Sequence, residues 1–228
     1  MFNTINYESP LCNACHNNDI KYVKILIKNG VNINEFCAKG CNPLYISCIK
    51  NNIECVKILI KNGVDINKSV FYGNTPFYIS CCKNNIECVK ILIKNGADIN
   101  KSGISGKTPL FIACQKNNIE CVKILIENNV DINIKYLSKY TSFYFVCLHN
   151  KIKIIECFLN KKINIKNTKY HNYLNIKHFI NKQLKLEFEF LNIIYSKEKN
   201  SPLTKFFTKN CGLRRFLGRK IITYINAF

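Results

Sequence analysis

The residues best equipped for chemistry in this chain are its 14 cysteines. Cys12-Asn-Ala-Cys15-His16 spells the pattern used for covalent haem attachment, two thiols three positions apart followed by an imidazole. Cys12 and Cys15, taken with Cys37 and Cys41, also have a spacing tolerable for a four-thiolate zinc site. Both readings compete with a simpler one. Cys15 is the first of a row, Cys15, Cys48, Cys81, Cys114 and Cys147, with one member every 33 residues, and Cys55, Cys88 and Cys121 form a second row. Thiols that recur in this way are expected to pack as small hydrophobes. Cys15 should then point into a helix stack while Cys37 sits out on a hairpin, which separates the would-be zinc ligands. The opening residues, MFNTINYESP, lack the basic-then-apolar layout of a secretory signal. The expected compartment is therefore the cytoplasm, with the nucleus as the alternative, where thiols stay reduced and haem is not attached to this pattern. No cofactor and no metal are expected, and Cys37, Cys41 and Cys211 are left without a role.

Other catalytic groupings are missing from the sequence. His16, His149, His171 and His178 fall at unrelated positions, and no Gly-rich phosphate loop occurs. Glu54, Glu87 and Glu120 are copies that fall in the first turn of a predicted helix, where a carboxylate offsets the helix dipole. Asn67-Lys-Ser69 and Asn100-Lys-Ser102 match the glycosylation acceptor but are explained as repeat positions. The chain is not expected to be an enzyme. Its apolar runs are too short to cross a bilayer, and 47% apolar residues over 228 positions suffice for a core.

The elements that carry these residues are set by a repeat. Pro10, Pro43, Pro76 and Pro109 lie 33 residues apart, and NNIECVKILIKNGVDIN (51–67) returns almost unchanged at 84–100 and 117–133. Such a period marks stacked supersecondary units. Thr75-Pro76 and Thr108-Pro109 supply an N-cap oxygen followed by a ring at the first helical position, so a short helix starts there. Asn117-Asn118 ends it: the first Asn suits a left-handed conformation, and the second is expected to cap the next helix. In that helix Ile119, Val122, Ile124, Leu125 and Ile126 form a broad apolar stripe. Asn29-Gly30, Asn62-Gly63 and Asn95-Gly96 then provide a glycine stop.

On these residues the sequence resembles the ankyrin repeat family: Gly73-Asn-Thr-Pro-Phe77, Gly106-Lys-Thr-Pro-Leu110, Glu120-Cys-Val-Lys-Ile-Leu-Ile126 and Gly96-Ala-Asp-Ile-Asn100 carry the likeness. The resemblance implies an all-α, ankyrin-type solenoid of stacked helix pairs with projecting hairpin loops, followed by a C-terminal helical segment. Five units fall at about 2–35, 36–68, 69–101, 102–134 and 135–166, the last degenerate, with Ser142 in place of Pro and Lys161-Lys162 in place of Asn-Gly. Together they make a domain over 1–166, and 167–228 is a basic helical segment expected to cap the stack. The family's His after Thr-Pro-Leu is replaced by Cys12, Tyr45, Tyr78, Phe111 and Tyr144, so its hydrogen bond must be lost or remade. The Asp that often opens the hairpin is replaced by Cys37, Val70, Gly103 and Tyr136.

Function in such a frame should lie where the copies differ. By resemblance, the groove is lined by hairpin tips and the exposed face of the first helix. Carried over, the partner-binding positions are Phe36, Lys39 and Lys50, then Phe71, Tyr72, Asn74 and Lys83, then Ile104, Lys107, Gln115 and Lys116, and finally Tyr140. Aromatics beside lysines suit an unidentified protein partner with an acidic, partly apolar surface, and Phe71-Tyr72 is the expected anchor. A monomeric scaffold or adaptor is expected. The alternative is a binder of nucleic acid or anionic lipid, for which the net charge of +20 speaks. Of that charge, +9 falls on residues 167–228, where Arg214, Arg215, Arg219 and Lys220 lie on a basic amphipathic helix.

Overall fold

A side-chain oxygen followed by proline opens the first helix of each of the first four repeats. Thr75 Oγ1 accepts the N–H of Tyr78 at 3.0 Å, Thr108 Oγ1 that of Phe111 at 3.1 Å, and Asn42 Oδ1 that of Tyr45 at 2.8 Å. These caps satisfy N–H groups that the helix itself leaves without acceptors. The computed structural model describes residues 9–71, 73–103, 106–137, 140–149 and 151–160. Among the described residues the helices are α1 (Pro10–Asn17), α2 (Ile20–Lys28), α3 (Pro43–Lys50), α4 (Ile53–Lys61), α5 (Pro76–Lys83), α6 (Ile86–Lys94), α7 (Pro109–Lys116), α8 (Ile119–Glu127), α9 (Ser142–Leu148) and α10 (Ile152–Asn160). By internal contacts the chain divides into two units, Met1–Val146 and Cys147–Phe228. The stack described below lies in the first.

Within that unit α1, α3, α5 and α7 pack each on the next, and α2, α4, α6 and α8 form a second row, each paired with the helix before it. Leu44, Phe77 and Leu110 from the first row and Val56, Leu59, Val89, Leu92, Val122 and Leu125 from the second are fully buried. Burial of each such side chain contributes about 1.5–3 kcal/mol. A lone helix pair cannot cover both of its apolar faces, so neighbouring repeats are needed to complete the core.

The turn between the two helices of a repeat departs from the sequence reading. Asn18, Asn51, Asn84 and Asn117 take the left-handed conformation, φ 56° to 64°, as their short polar side chains allow. The following Asn, however, does not cap α4, α6 or α8 through its side chain. Instead Asn52 Nδ2 donates to the Cys15 carbonyl at 2.7 Å, Asn85 Nδ2 to that of Cys48 at 2.7 Å, and Asn118 Nδ2 to that of Cys81 at 2.8 Å. The amide reaches back to the preceding repeat because a first-row carbonyl near the helix end lacks an intrahelical donor. At the corresponding place in α2, Asp19 does cap, accepting the Tyr22 N–H at 3.0 Å.

A second ladder runs through the Asp-Ile-Asn segments. Asp65 Oδ1 accepts the Asn67 N–H at 2.9 Å, and the Asn67 side-chain oxygen accepts the N–H of Asp98 in the next repeat at 2.8 Å. The same pair of bonds links Asp98, Asn100 and Asp131. These carboxylates and amides are therefore accounted for as connectors between repeats.

The two roles open to Asn85 make opposite predictions. If it bridges repeats, Asn85→Ala removes one of the two donors to the Cys48 carbonyl, the other being the Asn51 N–H, and costs about 0.5–1.5 kcal/mol, and Asn85→Asp costs at least as much because two acceptors then face each other. A capping role would instead make Asn85→Asp neutral or stabilising. Thermal unfolding followed by circular dichroism decides, with ~2–4 °C expected per kcal/mol in a domain of this size.

Candidate partner-binding site

The hairpins between repeats close without the family's Asp, through backbone pairs alone. Cys37 N–H donates to the Cys41 carbonyl at 2.8 Å, Val70 to Asn74 at 2.9 Å, Gly103 to Lys107 at 2.9 Å and Tyr136 to Tyr140 at 2.8 Å. Because the backbone does this work, the residues at these positions are free to vary. Two tips are joined directly: the Phe71 N–H donates to the Gly40 carbonyl at 3.1 Å, and the rings of Phe36 and Phe71 lie 5.0 Å apart at 44°. Lys68 Nζ sits 4.8 Å from the Phe36 centroid, a cation on the ring face. Gly40 has φ +70°, and a Cβ there would overlap the Phe71 ring, so both conformation and space require glycine. Phe71 nonetheless remains 70% exposed.

The remaining sequence-predicted positions divide by what they touch. Lys39, Lys50, Lys83 and Lys116 are exposed, the last three as the final residues of α3, α5 and α7. Lys107 and Gln115 are brought together, Nζ to Oε1 at 3.0 Å, with the ammonium also 5.2 Å from the Tyr136 centroid. Asn74 is half-buried, with its side chain beside the Tyr45 phenol. Tyr140 stacks on Tyr144 at 5.2 Å. Tyr72, Ile104, Arg214, Arg215, Arg219 and Lys220 lie outside the described residues, as does the proposed capping segment. Sequence reasoning missed Lys68 and Tyr136. Lys68 recurs as Lys101, which instead donates to the Asn67 carbonyl at 2.9 Å, so nothing local distinguishes the lysine that meets an aromatic ring.

The thiols follow the packing reading with one correction. Cys15, Cys48, Cys55, Cys81, Cys88, Cys114 and Cys121 are fully buried. Cys15 faces Cys55, Cys48 faces Cys88 and Cys81 faces Cys121, each pair crossing from one repeat to the next. Cys55 and Cys88 in turn donate to the side-chain oxygens of Asn18 and Asn51, both at 3.4 Å. The expectation that Cys37 sits out on a hairpin fails: it is on the hairpin but only 3% exposed, because the turn folds its side chain onto Cys12. Its thiol lies by those of Cys12 and Cys41, while Cys12 Sγ donates to the Cys41 carbonyl at 3.8 Å and Cys41 Sγ to the Lys39 carbonyl at 3.7 Å. Cys15 turns away toward Cys55. Among the described residues no group of three or more His, Cys, Asp or Glu side chains is arranged to hold a metal ion. Burial pushes the Cys12 thiol up to about 12 and raises Cys48 and Cys81 well above the ordinary value, while Cys15 is raised chiefly by donating its proton to Cys55.

Helix pairs repeated at a fixed period, stacked row on row and bearing a line of hairpin tips, define a helical-repeat solenoid. The family model for ankyrin repeats (three copies) matches residues 2–70 and again 67–136, and the chain belongs to the ankyrin repeat family. Ankyrin repeats are in general protein-protein interaction modules. A search of curated proteins finds no match.

Raised thiol pKa values carry a sign. The folded protein holds protons that the unfolded chain gives up above the ordinary thiol value of 9.0, so this contribution is complete below that value and is lost as pH rises toward 12. The melting temperature should hold steady from pH 7 to 8.5 and then fall. At pH 8 a chromogenic disulfide reagent should find few fast thiols in native protein and all 14 after denaturation. Rapid reaction of most thiols in the native state contradicts their role as core side chains.

Proposed function

We propose that the protein is a non-enzymatic scaffold or adaptor that holds a protein partner on the face made by its hairpin tips and first helices. The observation that carries this reading is Phe71. A large aromatic side chain 70% exposed to solvent is held in one place by the Gly40 carbonyl, the Phe36 ring and the absence of a Cβ at Gly40. Exposed, pre-positioned aromatics are the side chains that anchor protein interfaces, since their area is buried with little loss of conformational freedom. Lys39, beside Gly40, and Lys68, over Phe36, give the same patch positive charge. The partner surface is accordingly acidic and partly apolar.

The remaining parts of the proposal are architectural. The repeats extend over 1–166, with 167–228 as a basic cap, and the protein acts as a monomer. The proposed compartment is the cytoplasm, where thiols stay reduced. No helix among the described residues is long and apolar enough to cross a membrane.

Replacing Phe71 and Tyr72 together by alanine tests the anchor. Affinity capture from lysate, quantified by mass spectrometry, should lose the partner with the double variant while the melting temperature is unchanged, because an exposed ring contributes little to the core. Capture at the wild-type level removes Phe71 as the anchor.

A further inference from the structure

The charge of the three central repeats is segregated by face. Their second halves, 53–68, 86–101 and 119–134, hold seven lysines and seven acidic residues and are neutral overall. Their first halves, 36–52, 69–85 and 102–118, hold five lysines, Lys39, Lys50, Lys83, Lys107 and Lys116, and no acidic residue. The first halves build the hairpins and the α3, α5, α7 row; of the second halves, α4, α6 and α8 hold five lysines and four glutamates, and the connectors that follow hold Asp65, Asp98 and Asp131 with Lys68 and Lys101. Lysines of the second row meet glutamates on their own helix, Lys57 with Glu54 at 4.0 Å and Lys123 with Glu120 at 3.4 Å. The first halves have no acid of their own to do this, the nearest in the chain being Glu35 before Phe36 and the aspartates of the connectors.

Helix polarity explains one lysine at each helix end, in either row. It does not explain the missing acids. Copying of one ancestral unit accounts for the near-identical first-row helices but not for the hairpins, which share only the glycine at Gly40, Gly73 and Gly106, Phe36-Cys-Ala-Lys-Gly-Cys41 against Val70-Phe-Tyr-Gly-Asn74 and Gly103-Ile-Ser-Gly-Lys107, and none has acquired a carboxylate. The three hairpins carry Lys39, no charge and Lys107 in turn, while Lys50, Lys83 and Lys116 recur at one helix position, so the first halves together are positive and suit an anion.

The register of the lysines specifies which anion. Lys50, Lys83 and Lys116 end consecutive helices that pack on one another, so they recur at the helix-to-helix spacing of about 8–10 Å. An extended polyproline-II chain has three residues per turn and a rise of ~3.1 Å, which brings every third side chain to one side at about 9 Å intervals. We propose that the first-helix row binds an extended acidic peptide segment whose carboxylates fall at every third residue, one to each of Lys50, Lys83 and Lys116. This rests on the reading of the hairpin face as a partner site and names the chemistry of the partner.

The test uses the full chain and two fluorescent peptides of identical composition, six Glu-Ala-Pro triplets and a version with all six glutamates in one block. At 150 mM salt the triplet peptide should bind at least about tenfold more tightly by anisotropy, and Lys50→Glu, Lys83→Glu and Lys116→Glu together should remove that advantage. Lys57→Glu, Lys90→Glu and Lys123→Glu, the same charge change on the second row, should alter affinity less than about threefold. The glutamine versions of the first triple, which place no negative charge at a helix C-terminus, should show the same order with a smaller loss. Equal binding of the two peptides, or equal loss from the two triples, overturns the proposal. So does tighter binding of a single-stranded oligonucleotide of matched charge that depends on the same three lysines. Loss of natural capture by the Phe71 and Tyr72 double variant alongside equal peptide binding leaves the partner site standing and removes the register alone.

Discussion

Each of the three interfaces between the first four repeats depends on an asparagine amide that crosses it. Asn52, Asn85 and Asn118 each give up a local capping role to donate to a carbonyl of the preceding repeat at 2.7–2.8 Å. Apolar contact alone does not set the register of one helix pair on the next, because rows of similar aliphatic side chains can slide. A directional bond to a carbonyl at a helix end does set it, adding a second donor to a carbonyl that otherwise accepts only the long bond from its own C-cap N–H. The Asp-Ile-Asn ladder fixes the other end of the same interface. With both ends held, the cysteines, leucines and valines between them need only fill space.

That division of labour explains where the chain is free to change. The hairpins close through backbone atoms, so their side chains are not required for closure, and they differ in every repeat. The exceptions are residues spent on the frame. Gly40 gives way to the Phe71 ring, and Asn74 lies beside the Tyr45 phenol. Lys107 is shared between Gln115 and Tyr136, which leaves it less available than Lys50, Lys83 or Lys116. The positive face is thus made of two kinds of lysine, those that brace the tips and those that end the first-row helices.

Much of this was legible in the residues. The 33-residue step, the Thr-Pro starts and the left-handed Asn positions are local features, and local steric rules suffice to read them. The role of the second Asn was misread because capping is the local option, and its competitor, a carbonyl 37 residues earlier in the chain, enters only once repeats are stacked. Cys37 was misplaced for the same reason: a hairpin position reads as exposed until the turn is seen to fold against Cys12. Phe71 was found as an aromatic in a variable tip, but its support by Phe36 and Gly40 from the neighbouring hairpin could not be.

By itself the sequence determined the period, the helices, their caps and the family, because each is specified within a few residues or by simple repetition. The tertiary structure decided which polar groups are connectors and which are free to bind. It also decided what the cysteines and the charge mean. Chain order mixes lysines and acids in the central repeats, and only stacking sorts them into a row of α4, α6 and α8, where lysines and glutamates nearly balance, and a row of α3, α5 and α7 with no acid. The physical reason is that burial, hydrogen bonding and charge complementarity depend on neighbours in space, and in a solenoid the decisive neighbour is always a full repeat away.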